Sequence, residues 1–254
     1  ATFTVSELPA QSVAFADPGP VAKTFGDTNF TNTATNSTSG GGGAITYSVD
    51  NPAVAEVDAS TGEVTIKGAG TATITATAAA APGYAETKAN YTLNVSPMTI
   101  TPAIVLTPAA FEYDGTDKEP AVAVNDGALV LTAADYTVAY ENNRNAGTAK
   151  VIVKPAAGGN YTWTPDAEQT FAITPKALDQ SAFTWSTAVS FPYDGNAHSV
   201  TLTNLPAGVS VVYTDNTKTY VGSYTASAVL NVDANHTLTG TLARGASPRQ
   251  PTPR

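Results

Sequence analysis

The sequence of 254 residues contains no cysteine, two histidines and one methionine. Without cysteine the chain can form neither disulfides nor thiolate metal sites, and it has no thiol nucleophile. Two histidines leave few ways to assemble a general base or a zinc site. The composition therefore disfavours most catalytic and metal-binding classes before any motif is considered.

Positive charge is also scarce, since 12 Lys and Arg stand against 21 Asp and Glu and give a formal net charge of −9. Proteins that follow a phosphate backbone concentrate Lys and Arg on one face, so we predict no nucleic-acid partner. No apolar run approaches the ~20 residues of a membrane span. Residues 1–4 lack the charged start and apolar core of a signal peptide, and we expect a mature soluble fragment.

Alternation of apolar and polar residues with a period of two runs through the chain. In residues 63–67, Val64 and Ile66 share one face, and residues 71–77 alternate alanine or isoleucine with threonine. This period is that of half-buried β-strands. The short Gly-Ala-Gly connection at residues 68–70 predicts a hairpin, and the recurrence of such patterns predicts an all-β fold.

A five-residue signature recurs at domain distance. Phe-Glu-Tyr-Asp-Gly at residues 111–115 returns 80 residues later as Phe-Pro-Tyr-Asp-Gly at residues 191–195. Further positions match at an offset of 75 residues: Gly147 with Gly222, and Asn160-Tyr161-Thr162 with Asn235-His236-Thr237. A repeat of this length is typical of small tandem modules, each with its own core, rather than of an enzyme built around one cleft.

The repeat length divides the chain into three predicted modules and a tail. We call them the N-terminal module (residues 1–98), the middle module (99–176), the third module (177–243) and the tail (244–254). Proline-bearing linkers at residues 96–102 and 174–176 are short and stiff. They predict modules held end to end in an extended, semi-rigid and monomeric rod.

The third module has an unusual end. Residues 169–173 form the last predicted strand of the middle module, but their counterparts fall in the tail, which is rich in Arg and Pro. We therefore predict that the third module lacks its last strand and exposes a sheet edge, through which residues 177–243 can pair with a partner strand. The tail is open to three interpretations: a truncated terminus, an engineered remnant or a native tether.

Three motifs follow one another in the N-terminal module. They are Asp-Asn-Pro-Ala-Val-Ala-Glu-Val-Asp at residues 50–58, Thr-Gly-Glu-Val at 61–64 and Gly-Ala-Gly-Thr-Ala-Thr-Ile-Thr at 68–75. Through these motifs residues 44–95 resemble the bacterial Ig-like group 2 domains, while residues 1–43 fit that family only loosely. The resemblance implies a small Ig-like β-sandwich.

The middle module carries a second set of motifs: Tyr113-Asp114-Gly115, Asp135-Tyr136-Thr137-Val138, Asn142-Asn143, Asn145-Ala146-Gly147-Thr148-Ala149 and Gly159-Asn160-Tyr161-Thr162. Through them residues 99–176 and, less completely, residues 177–243 look like the MBG/YDG-type repeats of bacterial surface proteins. This resemblance implies small β-sandwiches used in tandem on adhesins and cell-wall-linked enzymes, with no catalytic residues. We predict that the motif glycines occupy turns with positive φ, and that the motif tyrosines fill the core with a solvated hydroxyl.

Three aromatic residues are candidates for ligand contacts if the chain binds a glycan, because flat rings stack on sugar faces: Tyr161, Trp163 and Trp185. The repeat provides a comparison. The sister module has Leu238 at the place of Trp163 and Val105 at the place of Trp185. Because an aliphatic residue fills each place, ordinary packing is the favoured interpretation of both tryptophans.

The titratable residues predict neither a metal site nor a cofactor. His198 and His236 have no second histidine nearby in sequence. Asp114, Asp117 and Glu119 lack the alternating ligand pattern of a calcium loop, so a solvated rim is favoured. We predict instead that Asp114 and its counterpart in the third module accept hydrogen bonds from backbone N–H groups of their own turns.

No sequence motif points to catalysis, because nucleophile elbows, zinc-protease helices and phosphate-binding glycine loops are all missing. The sequence predicts a non-catalytic stalk or spacer of an exported bacterial surface or cell-wall-associated protein, displaying a domain outside these residues. The alternative is an adhesin that binds a glycan or a host surface protein. An exposed aromatic cluster or a sheet edge that accepts a strand would separate the two hypotheses.

Overall fold

The computed structural model describes residues 6–39, 42–186 and 190–242 of the chain. Within these ranges the regular elements are β-strands and one short 3-10 turn, so the predicted all-β fold class is confirmed. Among the same residues, no helix has the length and apolar character needed to cross a membrane.

The N-terminal module contains two main sheets. Its strands are β1 (Val13–Phe15), β2 (Val21–Thr24), β3 (Phe30–Thr31), β4 (Ala34–Asn36), β5 (Ile45–Val49), β6 (Ala55–Val57), β7 (Glu63–Ile66), β8 (Gly70–Ala78) and β9 (Thr87–Ser96). One sheet has the order β2-β9-β8-β5 and the other β3-β7-β6, while β1 pairs with β4. Only β2 and β9 run parallel among these pairs.

The alternating residues of β7 and β8 fill one core from two different sheets. Val64 on β7 and Ile74 on β8 are both buried in it, together with Leu93 on β9. The predicted hairpin through residues 68–70 is therefore wrong, because β7 pairs with β3 and β6 whereas β8 pairs with β5 and β9. Two strands with inward apolar faces pack across a sandwich as readily as they pair side by side, and the period alone does not distinguish these arrangements.

The strands of the middle region are β10 (Met98–Thr99), β11 (Ala103–Thr107), β12 (Ala110–Glu112), β13 (Ala121–Asp126), β14 (Leu129–Val130), β15 (Tyr136–Glu141), β16 (Gly147–Pro155), β17 (Tyr161–Thr162) and β18 (Ala167–Thr174). Strand β10 runs parallel to β17, and β12 runs parallel to β18. Lys150 on β16 forms ion pairs with Glu141 on β15 and Glu168 on β18, at 3.2 and 3.0 Å.

The third module begins with β19 (Lys176–Asp179), and a 3-10 turn (Gln180–Ala182) follows. Its other strands are β20 (Thr184–Trp185), β21 (His198–Ser199), β22 (Leu202–Thr203), β23 (Val209–Thr214), β24 (Thr217–Lys218), β25 (Ser227–Val232) and β26 (His236–Thr239). The strands pair two by two: β19 with β26 in parallel, and β20 with β22, β21 with β24 and β23 with β25 antiparallel. Phe183, Leu202 and Leu230 are the buried centre of its core.

The predicted absence of a last strand in the third module concerns residues 244–248, the counterparts of residues 169–173. These residues and the rest of the tail lie outside the described part of the chain. The missing strand and the open edge it would leave beside residues 177–243 therefore stay predictions.

The chain divides into two compact units. One comprises Ala1–Ile104, Ala123–Val138 and Val153–Ala167, and the other comprises Val105–Val122, Ala139–Ile152 and Glu168–Arg254. The division crosses residues 99–176, which the sequence assigns to one module. The three-module boundaries thus stay a prediction, and the module names are used below for these sequence ranges.

Candidate functional site

A loop and strand of the middle module, Asn160-Tyr161-Thr162, lies against the N-terminal module. We call this segment the first corner. The Asn160 carbonyl accepts a hydrogen bond from the Met98 N–H at 2.9 Å, and the Ile100 N–H donates to the Thr162 carbonyl at 3.0 Å. The side-chain oxygen of Asn160 accepts a further hydrogen bond from the Ala69 N–H at 2.8 Å. The corner is therefore held both by its own linker and by the loop that leads into β8.

The aromatic residue of the first corner completes the contact. The Tyr161 ring meets the Phe25 ring edge-on, with centroids 5.5 Å apart and planes at 90°. Phe25 follows β2 directly, and its N–H donates to the Ser96 carbonyl at the end of β9. Edge-to-face pairs of this kind are favourable for the ring quadrupoles. We call these contacts of the first corner the first junction.

The same contacts recur between the middle and third modules, at the second corner, Asn235-His236-Thr237. The Asn235 carbonyl accepts a hydrogen bond from the Lys176 N–H at 2.9 Å. Its side-chain oxygen accepts one from the Ala146 N–H at 2.8 Å. The His236 ring meets the Tyr113 ring edge-on at 5.4 Å and 85°. We call this set of contacts the second junction.

The two receiving surfaces are equivalent in structure. Tyr113 follows β12 as Phe25 follows β2, and its N–H donates to Thr174 at the end of β18. Ala69 and Ala146 each precede a glycine whose φ angle is positive, 141° at Gly70 and 143° at Gly147. Each junction thus joins an asparagine and an aromatic residue of one module to the module before it. That module contributes an aromatic residue and the backbone N–H of an alanine that precedes a glycine. We call the latter pair the receiving face.

The sequence repeat includes the two corners but does not show what they contact. Phe25, Ala69 and Ala146 were not predicted as functional residues. The recurring Ala-Gly pairs at the start of β8 and β16 are the one sequence signal that could have identified the receiving faces.

Histidine replaces tyrosine in the second corner and has its own partner. The His236 Nδ1 atom lies 2.7 Å from the Asp233 Oδ1 atom, and its side chain is only 10% exposed. This hydrogen bond holds the pKa of Asp233 below its ordinary value. Because Nδ1–H donates to the carboxylate, the orientation of the ring against Tyr113 is fixed.

The three predicted ligand contacts lie in separate packing environments. Tyr161 is half-buried in the first junction. Trp163 is only 6% exposed, and its Nε1–H donates to the Val153 carbonyl at 3.3 Å. Trp185 is half-buried and lies against the Tyr213 ring at 6.0 Å. Their role as ligand contacts stays a prediction.

Other aromatic side chains are exposed in the third module. Tyr220 is 79% exposed, Tyr193 65% and Phe191 39%. The prediction that the tyrosines of the repeated signature fill the core is therefore wrong. Tyr113 packs in the second junction instead, and Tyr193 faces solvent, because both tyrosines lie outside the strands rather than at inward-facing strand positions.

The acidic residues of the two signatures stabilise their own turns, as predicted. Asp114 accepts a hydrogen bond from the Thr116 N–H, and Asp194 from the Asn196 N–H, both at 2.8 Å. The buried Lys118 ammonium beside Asp114 holds the pKa of that carboxyl far below its ordinary value, and the Thr116 hydroxyl adds to the effect. Across the described ranges, no group of three or more His, Cys, Asp or Glu side chains could hold a metal ion.

Comparison with protein families identifies one stretch of the N-terminal module. Residues 29–80 match the family of the immunoglobulin-like domain of intimin, a bacterial Ig-like domain. This stretch runs from just before β3 to just after β8. A search of the curated proteins finds no matching sequence.

Several multi-domain structures are similar to the chain at low identity. Drosophila N-cadherin EC1-4 is 10% identical over 88% of this chain and 72% of its own, with a TM-score of 0.27. The human desmocollin-1 ectodomain is 11% identical over 91% and 62%, at 0.27. The Bacteroides ovatus protein SGBP-B, in complex with a mixed-linkage heptasaccharide, is 12% identical over 94% and 68%, at 0.25. Such low scores say nothing about what this chain binds.

Proposed function

We propose that the chain is a non-catalytic stalk or spacer of an exported bacterial surface or cell-wall-associated protein. In this proposal a module of the bacterial Ig-like group 2 type precedes two modules of the MBG/YDG type. The modules follow one another in an extended, monomeric rod, and the rod displays a domain outside these residues. The match of residues 29–80 to the intimin Ig-like domain supports an extracellular location.

The recurrence of one junction is the observation that carries this proposal. Each corner is fastened by backbone hydrogen bonds to the linker, by an asparagine side chain and by an aromatic pair. The short proline-bearing linkers already restrict bending, and these additional contacts limit hinge motion further. A protein that must hold a distal domain away from a surface needs joints of this kind.

Small-angle X-ray scattering tests the stalk role. A single compact globule of this length has a radius of gyration of ~18 Å, and we expect a clearly larger value for modules in series. The Asn160→Ala/Asn235→Ala variant should broaden the distance distribution because its joints are looser. A radius near that of the globule would overturn the stalk proposal.

A second candidate function, that of an adhesin, is favoured by the exposed aromatic rings of the third module. Tyr193 and Tyr220 present more of their surface to solvent than aromatic residues that serve only the core. A glycan array and a panel of host matrix proteins test this candidate. Binding that is lost in Tyr193→Ala/Tyr220→Ala, and retained in Tyr84→Ala, would support it. Repeated negatives at high protein concentration would exclude it.

A further inference from the structure

The third module repeats the framework on which the second receiving face is built. In the middle module, Asp114 bonds to Lys118, whose N–H donates to the Asn143 carbonyl at 2.7 Å. In the third module, Asp194 lies 2.9 Å from His198 Nε2, and His198 pairs with Lys218 between β21 and β24.

Asp194 and His198 correspond to Asp114 and Lys118 at the repeat offset of 80 residues, and Lys218 corresponds to Asn143 at the offset of 75. The turns also share their conformation, since the φ angles of Gly115 and Gly195 are 83° and 80°. The third module therefore has the loop that carries the aromatic residue of a receiving face.

The residues of this third receiving face are uncovered. Tyr193 corresponds to Tyr113 and is 65% exposed, and Val221 corresponds to Ala146 and is 64% exposed. Tyr113 and Ala146 themselves are half-buried under the second corner. Within the described ranges, the Val221 N–H has no side-chain acceptor like the one that Asn235 gives to Ala146.

One feature of the third receiving face departs from the other two. Gly222 has no positive φ, unlike Gly70 and Gly147, and β25 starts only at Ser227 whereas β16 starts at Gly147 itself. The Val221 amide is thus present in sequence but is not held in the conformation seen under a docked corner. We expect docking of a corner to bring this segment into the conformation seen at the two occupied faces.

We propose that Tyr193 and the Val221 amide form a third receiving face, whose occupant is the Asn-aromatic-Thr corner of a further module of this repeat type. Both occupied faces in the chain take such a corner, and they take it with the same three contacts, made by the asparagine carbonyl, the asparagine side-chain oxygen and the aromatic ring. The asparagine oxygen would accept the Val221 N–H, and the aromatic ring would meet Tyr193 edge-on. The proposal assigns Tyr193 to this corner rather than to a glycan, and it is compatible with the stalk role.

The chain can be lengthened to present such a corner. A second copy of residues 167–242, joined after Leu242, supplies a copy of β18 to the third module and a further Asn-His-Thr corner behind it. We expect nitration of Tyr193 by tetranitromethane, followed by peptide mass spectrometry, to be several-fold slower in the extended chain. Tyr113 should react equally in both chains, and this equality shows that the existing second junction is intact.

The matched control is an extended chain in which the asparagine and histidine of the added corner are both alanine. Tyr193 should react in it as in the unextended chain. Equal nitration of Tyr193 in all three chains, or equal protection in the extended chain and its control, would overturn the proposal. Protection of Tyr193 by a glycan in the unextended chain, without protection by the added corner, would likewise overturn it and assign the face to a ligand.

A cysteine pair gives a second readout in a chain that contains no other cysteine. The reference is Ala146→Cys/Asn235→Cys in the unextended chain, where the Ala146 N and the Asn235 Oδ1 atoms are 2.8 Å apart. In the extended chain we expect Val221→Cys to form a disulfide with a cysteine at the added corner asparagine at a similar rate. The control is the extended chain with Val221→Cys in which the second cysteine replaces the copy of Asn231 instead. A disulfide at the added corner that forms no faster than in this control would contradict the proposal.

Discussion

Tyr113 and Tyr193 occupy the same place in two copies of one signature, yet Tyr113 is half-buried against His236 whereas Tyr193 is 65% exposed. The loops that carry them are alike, since Asp114 and Asp194 hold their turns with the same backbone hydrogen bond. The signature therefore determines the loop, and the neighbouring module determines whether the aromatic side chain is covered.

The core residues of the third module are also less completely buried than those of the first two modules. Val64, Val151 and Leu93 are fully buried in the first two modules. In the third module the buried centre is Phe183, Leu202 and Leu230, each of which retains 4–7% exposure. The third module thus buries its strands less completely, and less apolar surface stabilises it.

The largest expected effect is the difference in the free energy of unfolding between alanine variants of the two tryptophans. Trp163→Ala removes an indole that is 6% exposed, and we expect it to lower the free energy of unfolding by about 3–5 kcal/mol. Trp185→Ala should cost clearly less because Trp185 is only half-buried. Chemical unfolding followed by circular dichroism measures both, with Trp163→Phe as the conservative control. Equal losses for the two alanine variants would show that the difference in burial is wrong.

A smaller effect tests the two signature tyrosines. Tyr113→Ala should lower the free energy of unfolding by about 0.5–1.5 kcal/mol, the usual contribution of an aromatic pair, plus its share of buried area. Tyr193→Ala should have almost no effect. A double-mutant cycle with His236→Ala assigns the energy to the pair, because His236→Ala should cost less when Tyr113 is already alanine. Additive losses would mean that the two rings do not interact.

The sequence could predict the strands and the repeat but not the junctions. Alternation predicted the inward faces of β7 and β8, because the period of two is a property of every strand. It could not show that β7 and β8 lie in different sheets, since partner choice depends on distant residues such as Phe30 and Tyr91. Asn160 and Asn235 were visible as matched positions, but a hydrogen bond to a residue about ninety positions away leaves no local pattern.

The smallest expected effect concerns acid and the same two signatures. The pKa values of Asp114 and Asp194 are lowered in the folded chain, mainly by Lys118 and by the Asn196 N–H respectively. A lowered folded pKa gives stability that is complete above the unfolded value of 3.8 and is lost as the pH falls through the folded pKa. The temperature midpoint of unfolding should therefore decrease as the pH drops below about 4. This decrease should be smaller in Asp114→Asn than in Asp194→Asn. A fall in Asp114→Asn that is equal to or larger than the fall in Asp194→Asn would contradict this assignment.

Amide hydrogen exchange at three equivalent residues tests the junctions most directly. Asn160 should protect the Ala69 amide and Asn235 should protect the Ala146 amide, whereas the Val221 amide should exchange fast. Asn160→Ala should accelerate Ala69 alone, and Asn235→Ala should accelerate Ala146 alone. The matching Asn→Asp variants, whose carboxylates still accept a hydrogen bond, should retain most of the protection. Unchanged exchange of Ala69 and Ala146 in the alanine variants would contradict the account that one repeated junction joins the modules.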